Sequence, residues 1–324
     1  VYDALARPGV EANLAWLKAR HPRRVSAVVA DIRDEAELNR AAAEAGAVFH
    51  LAAQVAVTTS MADPRTDFAV NLQGTFAVLE ALRRRAGGPA PLVFASTNKV
   101  YGDLADVELA VEGDDAYAPR DPALRAHGIG EGRPLDFHTP YGCSKGAADQ
   151  YVLDYARSFG LPAAVMRMSC VYGPRQMGTE DQGWIAHFLI RALRGEPISV
   201  YGDGRQVRDV LDVGDAVEAY LSAWARIGAA AGRAFNLGGG PANAVSLRRV
   251  IALIGELTGR PVEARYADWR AGDQRYYVSD TRRAARELGL GPARAWREGV
   301  AALARWLREE HAAVARAPAV EAAQ

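Results

Sequence analysis

The first two-thirds of the chain alternates short apolar runs with segments of helical period. Val25 to Ala30 reads as a strand, Glu35 to Ala45 as a helix and Ala47 to Ala52 as a second strand. A long helix is expected from about Phe68 to Arg84, followed by a strand from Leu92 to Ala95. Pro140 to Phe159 carries a helical pattern, and Ala163 to Met168 reads as a further strand. Strand and helix in this order predict an α/β fold with a doubly wound parallel sheet. Such sheets bind ligands outside the carboxyl ends of their strands.

The last third has a different rhythm. Helices are expected at Trp184 to Arg194 and Arg248 to Thr258, with short strands at Ile198 to Tyr201 and Val262 to Tyr266. This predicts a smaller C-terminal α/β lobe. Ala229 to Ala231 reads as a flexible turn, and the Ala/Pro-rich end after His311 as a tail. The chain opens abruptly, because Val1-Tyr2-Asp3 reads as the end of a strand. In a Rossmann-type fold the first strand and its Gly-rich turn, which cradles pyrophosphate at a helix N-terminus, lie ahead of such a segment. The expectation is therefore that the N-terminal strand and Gly-rich loop are missing from the chain shown.

Composition narrows the partners. Basic and acidic residues balance at 39 each, with a pI near 7.2, which gives no support for nucleic acid or an anionic membrane as partner. No apolar run approaches the roughly 20 residues of a membrane helix. Two cysteines, Cys143 and Cys170, make no disulfide framework, and a cytoplasmic enzyme is expected. Only three of the 39 basic residues are lysine: Lys18, Lys99 and Lys145. Arginine and lysine are not interchangeable, so the two that fall inside the motifs below draw attention.

Tyr141 and Lys145 form Y-x-x-x-K at the start of a helix, a spacing that puts both on one face. An ammonium beside a phenol favours the phenolate, which can take a proton from a sugar hydroxyl as hydride leaves the carbon. Alone, the pair reads first as a surface feature. Ser96 and Thr97 follow a strand, however, and the Thr97 hydroxyl there can bond the reacting oxygen. Its bland alternative is a capping turn. His50-Leu51-Ala52-Ala53-Gln54 also follows a strand, and its small residues admit a flat cofactor; His50 itself reads as a core histidine. Asp31 ends one strand, where it can meet an adenine. Asp3 ends another, where an acid binds a ribose hydroxyl and repels a 2′-phosphate, pointing to NAD over NADP.

In order, H-L-A-A (50–53), S-T-x-x-V-Y-G (96–102), P-Y-x-x-S-K (140–145) and Arg167 followed by V-Y-G-P (171–174) resemble the extended short-chain dehydrogenase/reductases over almost the whole chain. STNKVYGDL (96–104), FHTPYGCSKGAADQY (137–151), DQGW (181–184) and G-x-G-x-QVRDVL (202–211) resemble the branch of nucleotide-sugar epimerases that act at C2 of CDP-linked deoxyhexoses. The resemblance implies Tyr141 as base, Lys145 as its partner and ribose anchor, and Thr97 as proton relay. It implies NAD contacts at Asp3, Asp31, Ile32, Leu51, Ala52, Ala53, Gln54, Asn71, Ser96 and Met168. Substrate contacts are implied at Lys99, Cys170, Gln182 and Trp184, with Arg208 and Arg270 clamping a diphosphate, which suits guanidinium forks. Surface ion pairs of Arg208 with Asp209 and of Arg270 with Asp273 are the alternatives. No metal is implied.

Two departures stand out: Cys170 replaces an asparagine common before V-Y-G, and Ala4 and Ala6 replace polar groups expected at the adenosine ribose. The implied division is an NAD-binding domain over 1–172, with 207–238 crossing back, a nucleotide-sugar lobe over 173–206 and 239–312, and a flexible tail over 313–324.

Dehydratases of this superfamily carry Thr-Asp-Glu where this chain has Thr97-Asn98-Lys99. An amide and an ammonium cannot supply that acid–base pair. The expected activity is therefore NAD-dependent epimerisation of a nucleotide hexose, through transient oxidation to a ketone and hydride return to the opposite face. Inversion at C2 of a CDP-linked sugar comes first. A 4-epimerase of UDP-hexoses or uronates, and a dinucleotide-binding regulator without turnover, stay open. A homodimer through two helices of the sheet lobe is implied by the resemblance.

Overall fold

The computed structural model describes the backbone of residues 1–316 and the side chains of residues 1–309. Its centre is a four-stranded parallel sheet ordered Ala234–Leu237, Ala163–Met168, Leu92–Thr97, Val48–His50. The two inner strands are buried along nearly their whole length, as their unbroken apolar runs require when helices cover both faces. One face packs against Gly74–Arg83 and Thr139–Phe159 through Leu79, Leu82, Val152 and Phe94. The other packs against Val213–Ala225 and Arg282–Leu288 through Met166, Phe235, Ala219 and Leu288. A separate parallel pair joins Tyr2–Asp3 to Val28–Val29, and within the described residues Val48–His50 pairs with one neighbour only.

The second lobe surrounds a core of Ile185, Phe188, Leu189, Val250, Ile254, Leu303 and Leu307. Its helices are Trp184–Arg194, Leu247–Thr258 and Trp296–Arg316, and its parallel pair is Ile198–Tyr201 with Ala264–Ala267. Val207–Asp212 stitches the lobes together. It pairs parallel with Cys170–Tyr172 and Tyr276–Tyr277, and antiparallel with Ala244–Ser246.

Several expectations change. The long helix from Phe68 is interrupted: Val57–Ala62 and Pro64–Phe68 lead into a π-helical turn at Ala69–Gln73 before Gly74–Arg83. The wide turn brings Asn71 inward to bond the backbone of Gln54. Ala229 to Ala231 is no flexible turn, because Ile227–Ala230 is a short helix that buries Ala230 in the core. The last helix continues through Arg316, four residues into the expected tail, whose remainder lies outside the described residues. Lys18 lies on the helix Val10–Arg20, in keeping with the helical stretch expected around it, while the hairpin of Leu109–Glu112 with Ala116–Pro119 was not anticipated.

Candidate active site

The carboxyl end of the central sheet opens into a cavity of about 1030 Å3 between the lobes. Leu92–Thr97 delivers Thr97 to its wall, and the helix Thr139–Phe159 delivers Tyr141. Pro140 in the first turn pre-sets the backbone for that helix. Gly146 is obligatory for its seating, since a Cβ there would lie 2.3 Å from the Phe137 ring. Thr139 holds a φ of 63°, a conformation costing a β-branched residue roughly 1–3 kcal/mol, two positions before Tyr141.

The Tyr141 phenol and the Thr97 hydroxyl share the cavity wall, close enough for Thr97 to favour the charged phenol. Thr97 Oγ1 in turn donates to Asn98 Oδ1 at 3.3 Å, and Asn98 Nδ2 donates to Gln274 Oε1 at 3.3 Å. Burial pushes the phenol up to about 12, against the lowering by Thr97 and with the field of Asp67, so Tyr141 stands above its ordinary value and not below it. The expected lowering by Lys145 is absent because the ammonium is turned elsewhere. Lys145 is buried, with Nζ 4.2 Å from the centroid of the Phe94 ring. Burial lowers its pKa to about 7, opposed by Asp149 and Asp67.

The other expected residues fall into two groups. Lys99, Met168, Cys170, Gln182, Trp184, Arg208, Arg270 and the exposed Leu51 line the cavity with Thr97 and Tyr141. Ser96 reaches the wall, but its hydroxyl points away and donates to Asp149 Oδ2 at 2.7 Å. Asp3, Asp31, Ile32, Ala52, Ala53, Gln54 and Asn71 are not part of this wall. Asp3 accepts the Leu5 N–H at 2.7 Å, and Asp31 is paired with Arg33 at 2.7 Å. Ile32 packs in the core against Gly74, and Asn71 braces Gln54, Asp67 and Ser144. His50 is a core residue bonded to Thr75 at 2.9 Å, and burial drives its pKa down to about 3.

The charged end is more entangled than the sequence indicated. Lys99 Nζ donates to the Gly272 carbonyl at 2.9 Å and lies 3.8 Å from Asp273. Burial, with Arg208 nearby, lowers Lys99 to about 8. Asp273 also sits 3.7 Å from Arg208, so Arg208 pairs with Asp273 and not with Asp209. Asp209 is buried with Ser169 and Gly240 instead. Arg270 pairs not with Asp273 but with Asp181 at 3.3 Å, and its guanidinium lies 3.7 Å over the Tyr201 ring.

Tyr201, Gln206 and Asp273 are wall residues the sequence reading passed over. Gln206 lay within the quoted QVRDVL motif, so its position was a signal. The side-chain oxygens of Gln176, Gln182 and Gln206 are buried without a hydrogen-bond partner, and all three residues line the cavity. Buried acceptors left open this way are costly unless a ligand donates to them, and sugar hydroxyls are suitable donors. The opposite end is apolar, with Phe49, Leu51, Val57, Met61 and Met168 on its wall; Leu51 is 58% exposed. That surface fits a flat, partly apolar cofactor ring.

A sheet that ends in a Thr–Tyr–Lys constellation beside an apolar slot and a polar, arginine-bearing pocket defines a nucleotide-sugar type of short-chain dehydrogenase/reductase. The chain belongs to the NAD dependent epimerase/dehydratase family, which it matches over residues 3–238. It is 38% identical to CDP-paratose 2-epimerase of Salmonella typhi, over 94% of this chain and 90% of that protein. Among solved structures it resembles UDP-glucose 4-epimerase of Thermotoga maritima with UDP-glucose, at 29% identity and a TM-score of 0.79, covering 96% and 91% of the two chains. It likewise resembles a double mutant of DesIV, the dTDP-glucose 4,6-dehydratase of Streptomyces venezuelae, with NAD and DAU bound. Identity there is 29%, the TM-score 0.81 and the coverage 96% and 88%.

Proposed function

We propose that this protein is an NAD-dependent epimerase of a nucleotide-activated hexose, acting at C2 of a CDP-linked deoxyhexose. The observation that carries the reading is the meeting of Thr97 and Tyr141 on one cavity wall, with Asn98 and Lys99 following where a dehydratase needs acids. The 38% identity to a CDP-paratose 2-epimerase supports the carbon and the nucleotide.

Bound NAD would accept the hydride of the sugar and return it, and the apolar wall at Leu51 and Met168 would hold its ring. Tyr141 takes the proton of the ring hydroxyl as the ketone forms and gives it back on reduction. One Thr97 proton cannot serve two acceptors. It is donated to Asn98 while the phenol is protonated and swings to the phenolate when it is not. The Asn98–Gln274 amide pair fixes the first of these rotamers. Lys145, when charged and turned from Phe94 towards the phenol, favours the phenolate electrostatically. Gln182 and Gln206 accept from sugar or base donors, while Arg208, Lys99 and Arg270 balance the diphosphate. A cavity of about 1030 Å3 gives the ketone space to present its second face.

In this reading residues 1–172 and 207–238 bind NAD, and 173–206 and 239–312 bind the nucleotide sugar. A homodimer is supported by an outward aromatic face on two adjacent helices, where Phe76, Tyr151 and Phe159 are each 44–52% exposed. The unpaired thiols of Cys143 and Cys170 suit a reducing, cytoplasmic setting. No described helix is long and apolar enough to cross a membrane.

The test is proton NMR of the protein with NAD+ in D2O and a panel of CDP-, GDP- and UDP-linked hexoses. A new C2 epimer without solvent deuterium is the expected result. Inversion at C4 would move the protein to the 4-epimerases. NAD binding with no turnover on any sugar would leave a non-catalytic binder.

A further inference from the structure

Beneath Tyr141, two cations and two carboxylates are buried together: Arg167, Lys145, Asp149 and Asp67. Arg167 and Asp149 satisfy one another through paired bonds of 2.9 Å from Nε and Nη2. Asp67, with no exposed surface, is held by neutral donors instead. Ser144 Oγ donates to it at 2.5 Å, Gln54 Nε2 at 2.8 Å and Asn71 Nδ2 at 3.0 Å. Three such bonds fix the orientation of the carboxyl group. Ser144 immediately precedes Lys145, so the same helical turn presents the amine and the donor that grips Asp67.

We propose that Asp67 is the counter-ion that keeps Lys145 charged in the folded protein, and so a positioning residue for the Tyr141 chemistry. With Arg167 matched to Asp149, Asp67 and Lys145 are the charges left to balance in this interior. The surroundings give Lys145 little else. The Phe94 ring lies under its ammonium, and His50 on the neighbouring strand is neutral, its pKa driven down to about 3 by burial with Lys145 nearby. Tyr141 on the same helix is held above its ordinary value by burial, and Asp67 adds to that rise. Burial pulls Lys145 towards neutrality, and the fields of Asp149, the larger, and Asp67 resist it; Asp149 is also bound by the Arg167 guanidinium. The π-helical turn that carries Asn71 inward completes the cradle of Asp67. The role assigned to Lys145 rests on the function proposed above, but its charge is measured without any sugar. A wrong substrate assignment leaves that measurement untouched.

The chain has only three lysines, which makes the test direct. Protein labelled with 13C at lysine Cε gives resonances for Lys18, Lys99 and Lys145, the last identified by its loss in Lys145→Arg. Each is followed against pH in the wild type and in Asp67→Asn. Asparagine keeps the shape and can still accept from Gln54 or Asn71 while donating to Ser144. The expected result is a fall of about one pH unit or more in the Lys145 midpoint, tenfold in its protonation equilibrium, with Lys18 and Lys99 unmoved. The alkaline limb of turnover moves down with it, because the active, protonated lysine is lost at lower pH. An unchanged Lys145 midpoint in folded Asp67→Asn overturns the proposal. Ser144→Ala gives a second reading that does not depend on that variant folding. It leaves the Asp67 charge less dispersed, so the Lys145 midpoint holds or rises, and a fall would equally overturn the assignment.

Discussion

Replacing Asp149 by alanine tests the polar frame under the site. Asp149 is fully buried, accepts from Ser96 Oγ at 2.7 Å and takes a two-pronged contact from Arg167. Burial alone presses Arg167 towards neutrality, but the bonds to Asp149 outweigh it and hold its pKa above the ordinary value. Removing the carboxylate leaves a guanidinium 4% exposed with the Tyr101 hydroxyl as its remaining partner. Breaking a buried pair in this way costs about 3–5 kcal/mol, a fifth or more of the roughly 5–15 kcal/mol that holds a domain together. Most of that cost is the stranded charge, so adding Arg167→Met should recover the larger part of it. The assay is urea unfolding of both single variants and the double variant, closed as a mutant cycle. A loss below about 1 kcal/mol for Asp149→Ala, or additive losses in the double variant, would refute the reasoning. Ser96 adjoins Thr97, and Asp149 lies one turn beyond Lys145. Turnover should therefore fall in Asp149→Ala even where the protein remains folded.

Three further outcomes are expected. Tyr141→Phe should lose roughly 10²–10⁴-fold in turnover while NAD still binds, with its residual rate no longer rising with pH; a variant that keeps most of its activity removes Tyr141 as the base. His50 binds its proton in the unfolded chain near 6.5 but in the fold only near 3. Its contribution to stability is intact above pH 6.5 and declines by about 1.4 kcal/mol per unit on acidification towards 3. His50→Gln should flatten that part of the acid limb in urea melts taken between pH 4 and 7, and an identical slope in both proteins would discard the explanation. Phe76→Glu, placed on the exposed aromatic face beside Tyr151, should convert a dimer to a monomer in sedimentation velocity; a dimer that survives lies on another face.

Local sequence determined the parallel sheet and the order of its chemistry. The runs at Leu92 and Ala163 are apolar on consecutive positions because both faces are covered, and that pattern needs no knowledge of the partners. Motif spacing likewise brought Thr97 and Tyr141 to one wall, since a strand end and a first helical turn leave their side chains little freedom. Tertiary packing decided the rest. Y-x-x-x-K fixes which face Tyr141 and Lys145 share, yet the rotamer that lays Lys145 on Phe94, and the burial that lifts the phenol, come from residues distant in the chain. The partner of each arginine was equally out of reach: Asp209 is adjacent to Arg208, but in a strand adjacent side chains face opposite ways, and Asp273 arrives from 65 positions further on. The π-helical turn at Asn71 left no periodic signature, because a single wide turn is stabilised by what its inward side chain binds and not by the pattern around it.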